Sequence, residues 1–219
     1  MSTAPLGILG GTFDPIHYGH LRLAEELAEA LKLAEVRFVP AGTPPHRAAP
    51  PTPPEHRLRM TALAIEGNPH FSADAREVRR SGLGYTFDTL TELRAEAGPR
   101  RPLVLLLGAD AFLDLATWHR WHELFGLAHL AIAHRPGFPT ETWPERMPQP
   151  LAREYEKRLL KQPLNVHLSP AGGIVALPIA ALDISATMIR RALAEGASPR
   201  YLLPDPVLDY IRANHLYRE

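Results

Sequence analysis

The residue run at positions 10–20, GGTFDPIHYGH, constrains the fold of this chain more than any other feature. It follows an apolar stretch, residues 6–9, that is typical of a buried parallel strand, and it precedes apolar residues at helical spacing (Leu21, Leu23, Ala24, Leu27, Ala28 and Leu31). Gly10 and Gly11 lack Cβ atoms, so the backbone can turn sharply and a ligand can approach closely. The start of the following helix offers unpaired N–H groups and a positive dipole end. The run therefore predicts a strand–turn–helix unit whose turn suits a triphosphate.

Two histidines lie in this run, three residues apart. If the helix begins near Tyr18, the imidazoles of His17 and His20 both project toward one pocket, where each can donate to a phosphate oxygen. The residues alone leave other interpretations open: a simple tight turn, a surface or core histidine, or half of a metal site. The chain has no cysteine, and no clear set of carboxylate ligands accompanies a second pair of histidines, so we expect no metal held by protein side chains.

A second block, ISATMIR at residues 184–190, carries hydroxyl groups at a predicted helix start. Ser185 and Thr187 supply the hydroxyls, and Arg190 lies one turn further along, where its planar fork of donors can reach a phosphate. Taken alone, such a block is more often only the N-cap of an amphipathic helix.

Strand and helix patterns alternate along the rest of the chain. Strands are predicted over residues 36–39, 103–107 and 127–133, and helices over residues 55–65 and 87–97. This alternation predicts an α/β fold with a parallel sheet and crossover helices, which binds ligands at the carboxyl ends of its strands. Residues 41–54 and 136–162 are rich in proline and are predicted to be loops or insertions. We expect one domain over residues 1–219, with a C-terminal helical part at 185–219.

The balance of positive and negative residues bears on which kinds of molecule this protein binds. The 219 residues include 24 Lys and Arg and 24 Asp and Glu, which argues against a general nucleic-acid or membrane surface. No segment approaches the roughly 20 apolar residues of a membrane span, and residues 1–5 lack the basic start of a signal peptide. The lack of cysteine excludes disulfides and thiol catalysis and fits a reducing compartment. We therefore expect a cytoplasmic protein, and homo-oligomerisation stays open.

Together, residues 10–21 and 184–190 resemble the HxGH-motif nucleotidyltransferases, specifically the bacterial nicotinate-nucleotide adenylyltransferases, with Ala186 where serine is common. The resemblance implies a Rossmann-like open parallel sheet with helices on both faces in one nucleotidyltransferase domain. It also implies adenylyl transfer from ATP to nicotinate mononucleotide, with Mg²⁺ carried by ATP and His17, His20 and Arg190 as catalytic residues. The implied ATP-binding residues are Gly10, Gly11, Thr12, Phe13, His17, His20, Gly108, Asp110, Ile184, Ser185, Thr187 and Arg190.

Two of these nucleotide contacts lie after a predicted strand. Gly108 permits close approach of adenosine, and Asp110 can hydrogen-bond ribose hydroxyls, although the local sequence fits a helix-capping aspartate equally well. The proline-rich residues 44–47, PPHR, read alone as a stiff surface loop. A comparable loop in the family closes over the nucleotide phosphates, which implies His46 and Arg47 as substrate contacts, with arginine in place of the usual lysine.

The identity of the acceptor depends on three further places. The resemblance implies that Tyr85 and Thr86 lie beside the pyridine carboxylate and that Trp118 stacks on the pyridine ring, with the backbone N–H of His119 available to the carboxylate. It also implies that Arg135 lies beside the bound nucleotides. The residues alone also fit core aromatics, a threonine N-cap and a solvated strand end. The alternatives for function are an adenylyltransferase that also accepts nicotinamide mononucleotide, one that accepts phosphopantetheine, and a nucleotide-sensing regulator without activity.

Overall fold

The computed structural model describes residues 4–43, 52–135, 140–180 and 182–217. Six strands form one sheet in the order β3-β2-β1-β4-β5-β6. The strands are Leu6–Gly11 (β1), Glu35–Pro40 (β2), Phe71–Ala73 (β3), Leu103–Gly108 (β4), His129–His134 (β5) and Ile174–Pro178 (β6). The pairs β1–β4, β4–β5 and β5–β6 are parallel, with Leu6 opposite Leu103 and Leu130 opposite Ile174. The predicted open parallel sheet is confirmed, and its strand order reverses between β1 and β4, where such sheets bind ligands.

Within the described ranges, ten α-helices connect or flank these strands. They are Tyr18–Leu31 (α1), Pro54–Ala64 (α2), Arg76–Arg79 (α3), Thr86–Ala97 (α4), Ala109–Leu113 (α5), Leu124–Leu127 (α6), Trp143–Arg146 (α7), Gln149–Arg158 (α8), Ala186–Ala194 (α9) and Asp205–Ala213 (α10). The helices predicted over residues 55–65 and 87–97 are confirmed as α2 and α4. Among the described residues, none of the helices combines the length and the apolar character that crossing a bilayer demands.

Residue contacts divide the chain into two compact units. The first unit comprises Met1–Leu9, Leu23–Val36 and Tyr85–Ala181. Its core includes β4, whose apolar residues are all buried, as expected of a parallel strand covered on both faces. Arg94 in α4 donates to the backbone carbonyls of Gly98, Arg101, Leu127 and Pro170 at 3.0, 2.6, 2.6 and 2.8 Å, and burial lowers its pKa. One side chain thereby holds four main-chain carbonyls in three separate segments of the chain.

The sequence predicts a loop or an insertion over residues 136–162; the loop alternative is wrong for most of this length, and the insertion alternative stays a prediction. Residues 136–139 lie outside the described residues, but α7 and α8 occupy much of the remainder. Trp143 is fully buried, and its ring lies 6.0 Å from Phe112 and 5.9 Å from Tyr155. The prolines that suggested a loop lie at the starts of both helices, where the missing N–H costs nothing.

The second unit comprises Gly10–Arg22, Arg37–Gly84 and Leu182–Glu219. Here α10 packs against α2 through its buried residues Val207, Leu208 and Ile211, and the Tyr210 hydroxyl hydrogen-bonds His56 Nδ1 at 2.8 Å. The predicted C-terminal helical part at 185–219 contains α9 and α10. In the predicted loop at 41–54, residues 44–51 lie outside the described residues, Thr52 is buried and α2 begins at Pro54. The expectation of a single domain over residues 1–219 stays a prediction.

Candidate active site

The signature loop, which we define as residues 10–17, contains the last two residues of β1 and the connection from β1 to α1. The predicted strand–turn–helix unit is present, but Gly10 and Gly11 lie at the end of the strand rather than in the turn. Phe13 adopts a left-handed backbone conformation (φ 49°) and is buried, with its ring edge-on to His20 at 5.0 Å. A Cβ atom on Gly11 would lie 2.6 Å from the Phe13 ring, whereas one on Gly10 would meet no described atom within 4 Å. Packing therefore explains the glycine at position 11, while the space beside Gly10 is open to a ligand.

The structure brings His17 and His20 together at the start of α1. Their rings stack with centroids 3.8 Å apart, and His20 Nδ1 accepts a hydrogen bond from the backbone N–H of His17 at 3.3 Å. A neutral imidazole whose Nδ1 accepts carries its proton on Nε2, so His20 presents Nε2–H as a donor. A Cβ atom on Gly19 would lie 3.0 Å from the His17 ring, so this glycine gives the stacked pair its room.

Burial keeps both imidazoles uncharged. Desolvation lowers the pKa of His17 to about 4. The pKa of His20 falls to about 3 through desolvation and, secondarily, through the nearby His17. Two imidazolium rings stacked at this distance would also repel each other. At neutral pH the pair can therefore offer N–H donors to a ligand without adding positive charge of its own.

The second sequence block, residues 184–190, contributes the positively charged side chain of Arg190. Ser185 caps α9, its side chain accepting from the Met188 N–H at 3.2 Å, so the N-cap interpretation of this hydroxyl is confirmed. Arg190 Nη1 donates to the Asp14 carbonyl at 2.7 Å, and Nη2 donates to Thr187 Oγ1 at 3.4 Å. The carbonyl of Ile184 would lie 3.6 Å from a Cβ atom on Gly19. The two sequence blocks therefore meet in this unit, as their combination predicted.

Two residues in the second unit that the sequence analysis missed also hold the signature loop. Arg57 is fully buried, and its guanidinium donates to the carbonyls of Thr12 at 2.7 Å, Gly42 at 3.0 Å and Thr52 at 3.1 Å. Burial lowers its pKa. Tyr217 donates its hydroxyl to Asp14 Oδ1 at 2.5 Å. Nothing in the local sequence distinguishes Arg57 from its neighbours on α2, and Tyr217 is remote from Asp14 along the chain.

The predicted residues after β4 lie in the first unit. Gly108 is the N-cap residue of α5, and a Cβ atom there would meet no described atom within 4 Å. Asp110 is exposed in the first turn of α5 and makes no cap hydrogen bond, so the interpretation of it as a capping residue is wrong. Gly108 therefore resembles Gly10: neither packing nor a left-handed backbone demands glycine.

The residues predicted to recognise the acceptor also lie in the first unit. The Tyr85 and His119 rings are 4.4 Å apart, and Trp118 is half-buried, so neither Tyr85 nor Trp118 is a buried core aromatic. Thr86 is the first residue of α4, whose N-cap is Tyr85 without a side-chain hydrogen bond, so the threonine N-cap interpretation is wrong. Arg135 is exposed just after β5. His46 and Arg47 lie outside the described residues.

The carboxylate and imidazole groups of the described residues do not form a metal centre. No group of three or more His, Asp or Glu side chains in these ranges could hold a metal ion. The carboxylate of Asp14, the acid nearest the histidine pair in the sequence, accepts from Tyr217 instead.

This chain is similar to known proteins over nearly its whole length. A family model described as cytidylyltransferase-like matches residues 8–192. A protein of Dechloromonas aromatica named "Probable nicotinate-nucleotide adenylyltransferase" is 53% identical over 98% of this chain and 98% of its own length. A protein of Aeromonas hydrophila with the same name is 48% identical over 100% of this chain and 99% of its own.

The chain belongs to the nicotinate-nucleotide adenylyltransferase family.

Solved structures add the fold. Nicotinic acid mononucleotide adenylyltransferase of Plasmodium falciparum, complexed with APC, matches 98% of this chain and 97% of its own with a TM-score of 0.70. The same enzyme complexed with NaAD matches with a TM-score of 0.72 and 19% sequence identity. At this identity the likeness is one of fold, and it confirms the Rossmann-like architecture that the sequence predicted for a member of the nicotinate-nucleotide adenylyltransferase family.

Proposed function

We propose that this chain transfers the adenylyl group of ATP to nicotinate mononucleotide, giving nicotinate adenine dinucleotide and pyrophosphate, a step of NAD biosynthesis. The observation that carries this proposal is the neutral, stacked His17–His20 pair on the signature loop of a family member. We propose that the reaction takes place in the cytoplasm, which cell fractionation with an antibody to the chain checks.

The phosphate of nicotinate mononucleotide is already an oxyanion at neutral pH. Its attack on the α-phosphorus of ATP therefore needs positioning and charge stabilisation rather than a general base. One P–O bond forms, the bond to pyrophosphate breaks, and no covalent intermediate with the protein is required. Mg²⁺ enters as part of the MgATP substrate and balances negative charge on the triphosphate.

Donors in the second unit fit the departing pyrophosphate. We assign the Nε2–H of His20, and a donor from His17, to triphosphate oxygens, where negative charge grows as the reaction proceeds. Arg190 brings the positive charge that the neutral histidines lack; it keeps donors beyond those used on Asp14 and Thr187, since a guanidinium has five N–H groups. We also assign backbone N–H groups of the signature loop, from Gly10 to Phe13, to the triphosphate. Phe13 can contribute only its backbone, because its side chain is buried.

In the first unit, Gly108 and Asp110 are assigned to adenosine and its ribose. We assign Tyr85, Thr86, Trp118, His119 and Arg135 to the acceptor, with donors at Thr86 and the His119 N–H facing the pyridine carboxylate. The amide of nicotinamide presents an NH₂ group where these donors need an acceptor. Leaving polar groups unpaired in this way costs about 1–3 kcal/mol, so the acid is preferred. His46 and Arg47 remain proposed phosphate contacts.

The decisive experiment measures pyrophosphate release from MgATP with nicotinate mononucleotide, nicotinamide mononucleotide or 4′-phosphopantetheine as acceptor. We expect the first acceptor to be preferred over the second by about 5- to 150-fold, as the cost of about 1–3 kcal/mol for unpaired donors implies. Comparable rates with both mononucleotides would show dual specificity, and preference for phosphopantetheine would refute the acceptor assignment. Release with none of the three would favour a nucleotide-sensing protein.

A pair of variants tests the histidine assignment. His20→Ala removes the Nε2–H donor and is expected to lower kcat by at least about a hundredfold, the usual effect of losing one such donor. His122→Ala is the matched control, because His119 and His122 repeat the same spacing but His122 is exposed and stacks on Trp121. Equal kcat in His20→Ala and His122→Ala would refute the role of His20.

A further inference from the structure

The signature loop is held by groups on both sides of Phe13. The Thr12 carbonyl accepts from Arg57, and the Asp14 carbonyl accepts from Arg190. A further anchor is the carboxylate of Asp14, a residue that is only 4% exposed; this carboxylate accepts a hydrogen bond from Tyr217. A buried carboxylate must be matched by donors, so this hydrogen bond is a requirement of the loop conformation rather than a surface contact.

The segment after α10 that brings Tyr217 to Asp14 has an unusual backbone conformation. After α10 ends at Ala213, His215 and Tyr217 both adopt left-handed backbone conformations, with φ of 52° and 62°, and the Leu216 N–H bonds the Ile211 carbonyl at 3.0 Å. Residues other than glycine adopt this conformation only when the surroundings hold them there. The tail is therefore folded back onto the signature loop by specific contacts.

The Tyr217 hydroxyl stays protonated and acts as a hydrogen-bond donor. Burial, and next the hydrogen bond to Asp14, raise the pKa of Tyr217 well above its usual value, so the hydroxyl keeps its proton at physiological pH. Asp14 lies three residues before His17, whose backbone N–H in turn bonds His20 Nδ1. A continuous set of hydrogen bonds and covalent links thus runs from Tyr217 to the imidazole pair.

We propose that Tyr217 is a positioning residue: through Asp14 it holds the signature loop in the conformation that directs the His17–His20 pair at the triphosphate. This inference rests on the proposed function. It assigns to the last described residue of the chain an effect on the rate of adenylyl transfer, beyond any effect on stability.

The test compares Tyr217→Phe with Tyr210→Phe. Each variant removes one hydroxyl from the same C-terminal segment, but Tyr210 bonds His56 on α2 and does not contact the signature loop's Asp14. We expect Tyr217→Phe to lower kcat about tenfold, equivalent to the loss of one hydrogen bond to a charged group. Tyr210→Phe should keep kcat within about twofold at a similar loss of melting temperature. Equal kcat in the two variants would show a purely structural role and overturn the inference.

Two further measurements separate this inference from the proposed function. In an Asp14→Asn background, Tyr217→Phe should have little additional effect on kcat, because coupled residues are not additive; full additivity would overturn the inference. NMR titration of the His17 imidazole needs no activity: in Tyr217→Phe its pKa should rise from about 4 toward the ordinary value, but not in Tyr210→Phe. An unchanged His17 pKa in Tyr217→Phe would also overturn it. If the wild type releases no pyrophosphate, the proposed function fails while this titration still tests Tyr217.

Discussion

Acidification should destabilise this protein through His17. The imidazole is buried at 6% exposure, and desolvation lowers its pKa from 6.5 to about 4. Between these values the unfolded chain binds a proton that the folded protein excludes, so stability rises with pH. The contribution is therefore complete above pH 6.5 and is lost as the pH falls toward 4. From pH 7 to pH 5 the loss is about 2 kcal/mol, at 1.36 kcal/mol per pH unit.

Urea unfolding of the wild type and His17→Gln at pH 7, 6 and 5 measures this loss. Glutamine does not titrate, so the difference in the free energy of unfolding between the two proteins should shrink by about 2 kcal/mol between pH 7 and pH 5. The urea dependence of that free energy should stay the same in both proteins, which controls for changes in the unfolded state. A difference that stays constant with pH would refute the buried, neutral His17 on which the proposed phosphate contacts depend.

Three further substitutions test other contacts. Arg57→Met leaves three backbone carbonyls without their donor, so we expect a loss of about 3 kcal/mol in the free energy of unfolding together with a lower kcat; unchanged stability would contradict the buried clamp. Arg94→Met removes a similar set of bonds and should lose about as much stability, by urea unfolding, while kcat at a temperature where it is folded stays at the wild-type value. Gly10→Ala should keep its melting temperature but raise the KM for ATP, whereas Gly11→Ala should lose about 1–3 kcal/mol of stability from overpacking; an unchanged KM in Gly10→Ala would place the nucleotide elsewhere.

The strand–turn–helix unit at the start of the chain could be predicted because its signals are local. Apolar periodicity located β1 and α1, and the spacing of His17 and His20 located the stacked pair. The glycine pair, which was expected to form the turn, instead forms the last two residues of β1. The same local logic failed over α7 and α8. There, prolines at helix starts gave the signal of a loop, and the buried position of Trp143 could only be seen in three dimensions.

The supports of the signature loop could not be predicted, for two physical reasons. The partners of Arg57 are main-chain carbonyls, which every residue possesses and no sequence pattern marks. The partner of Tyr217 is separated from it by 203 residues, so only the folded chain reveals the pair. Burial also sets the protonation state of His17 and His20, and burial depends on packing that sequence spacing does not specify.

The carbonyl partners of Arg94 have a consequence for how this chain can diverge. Because the guanidinium holds the main chain at Arg101, Leu127 and Pro170, the side chains at those positions play no part in its hydrogen bonds, although the Arg101 side chain donates separately to the Ala4 carbonyl at 3.1 Å. Descendants of this sequence can exchange these residues and retain all three bonds, whereas exchange of Arg94 removes them together. Substitutions at the three carbonyl positions therefore leave these bonds intact, whereas a single substitution of Arg94 removes them all.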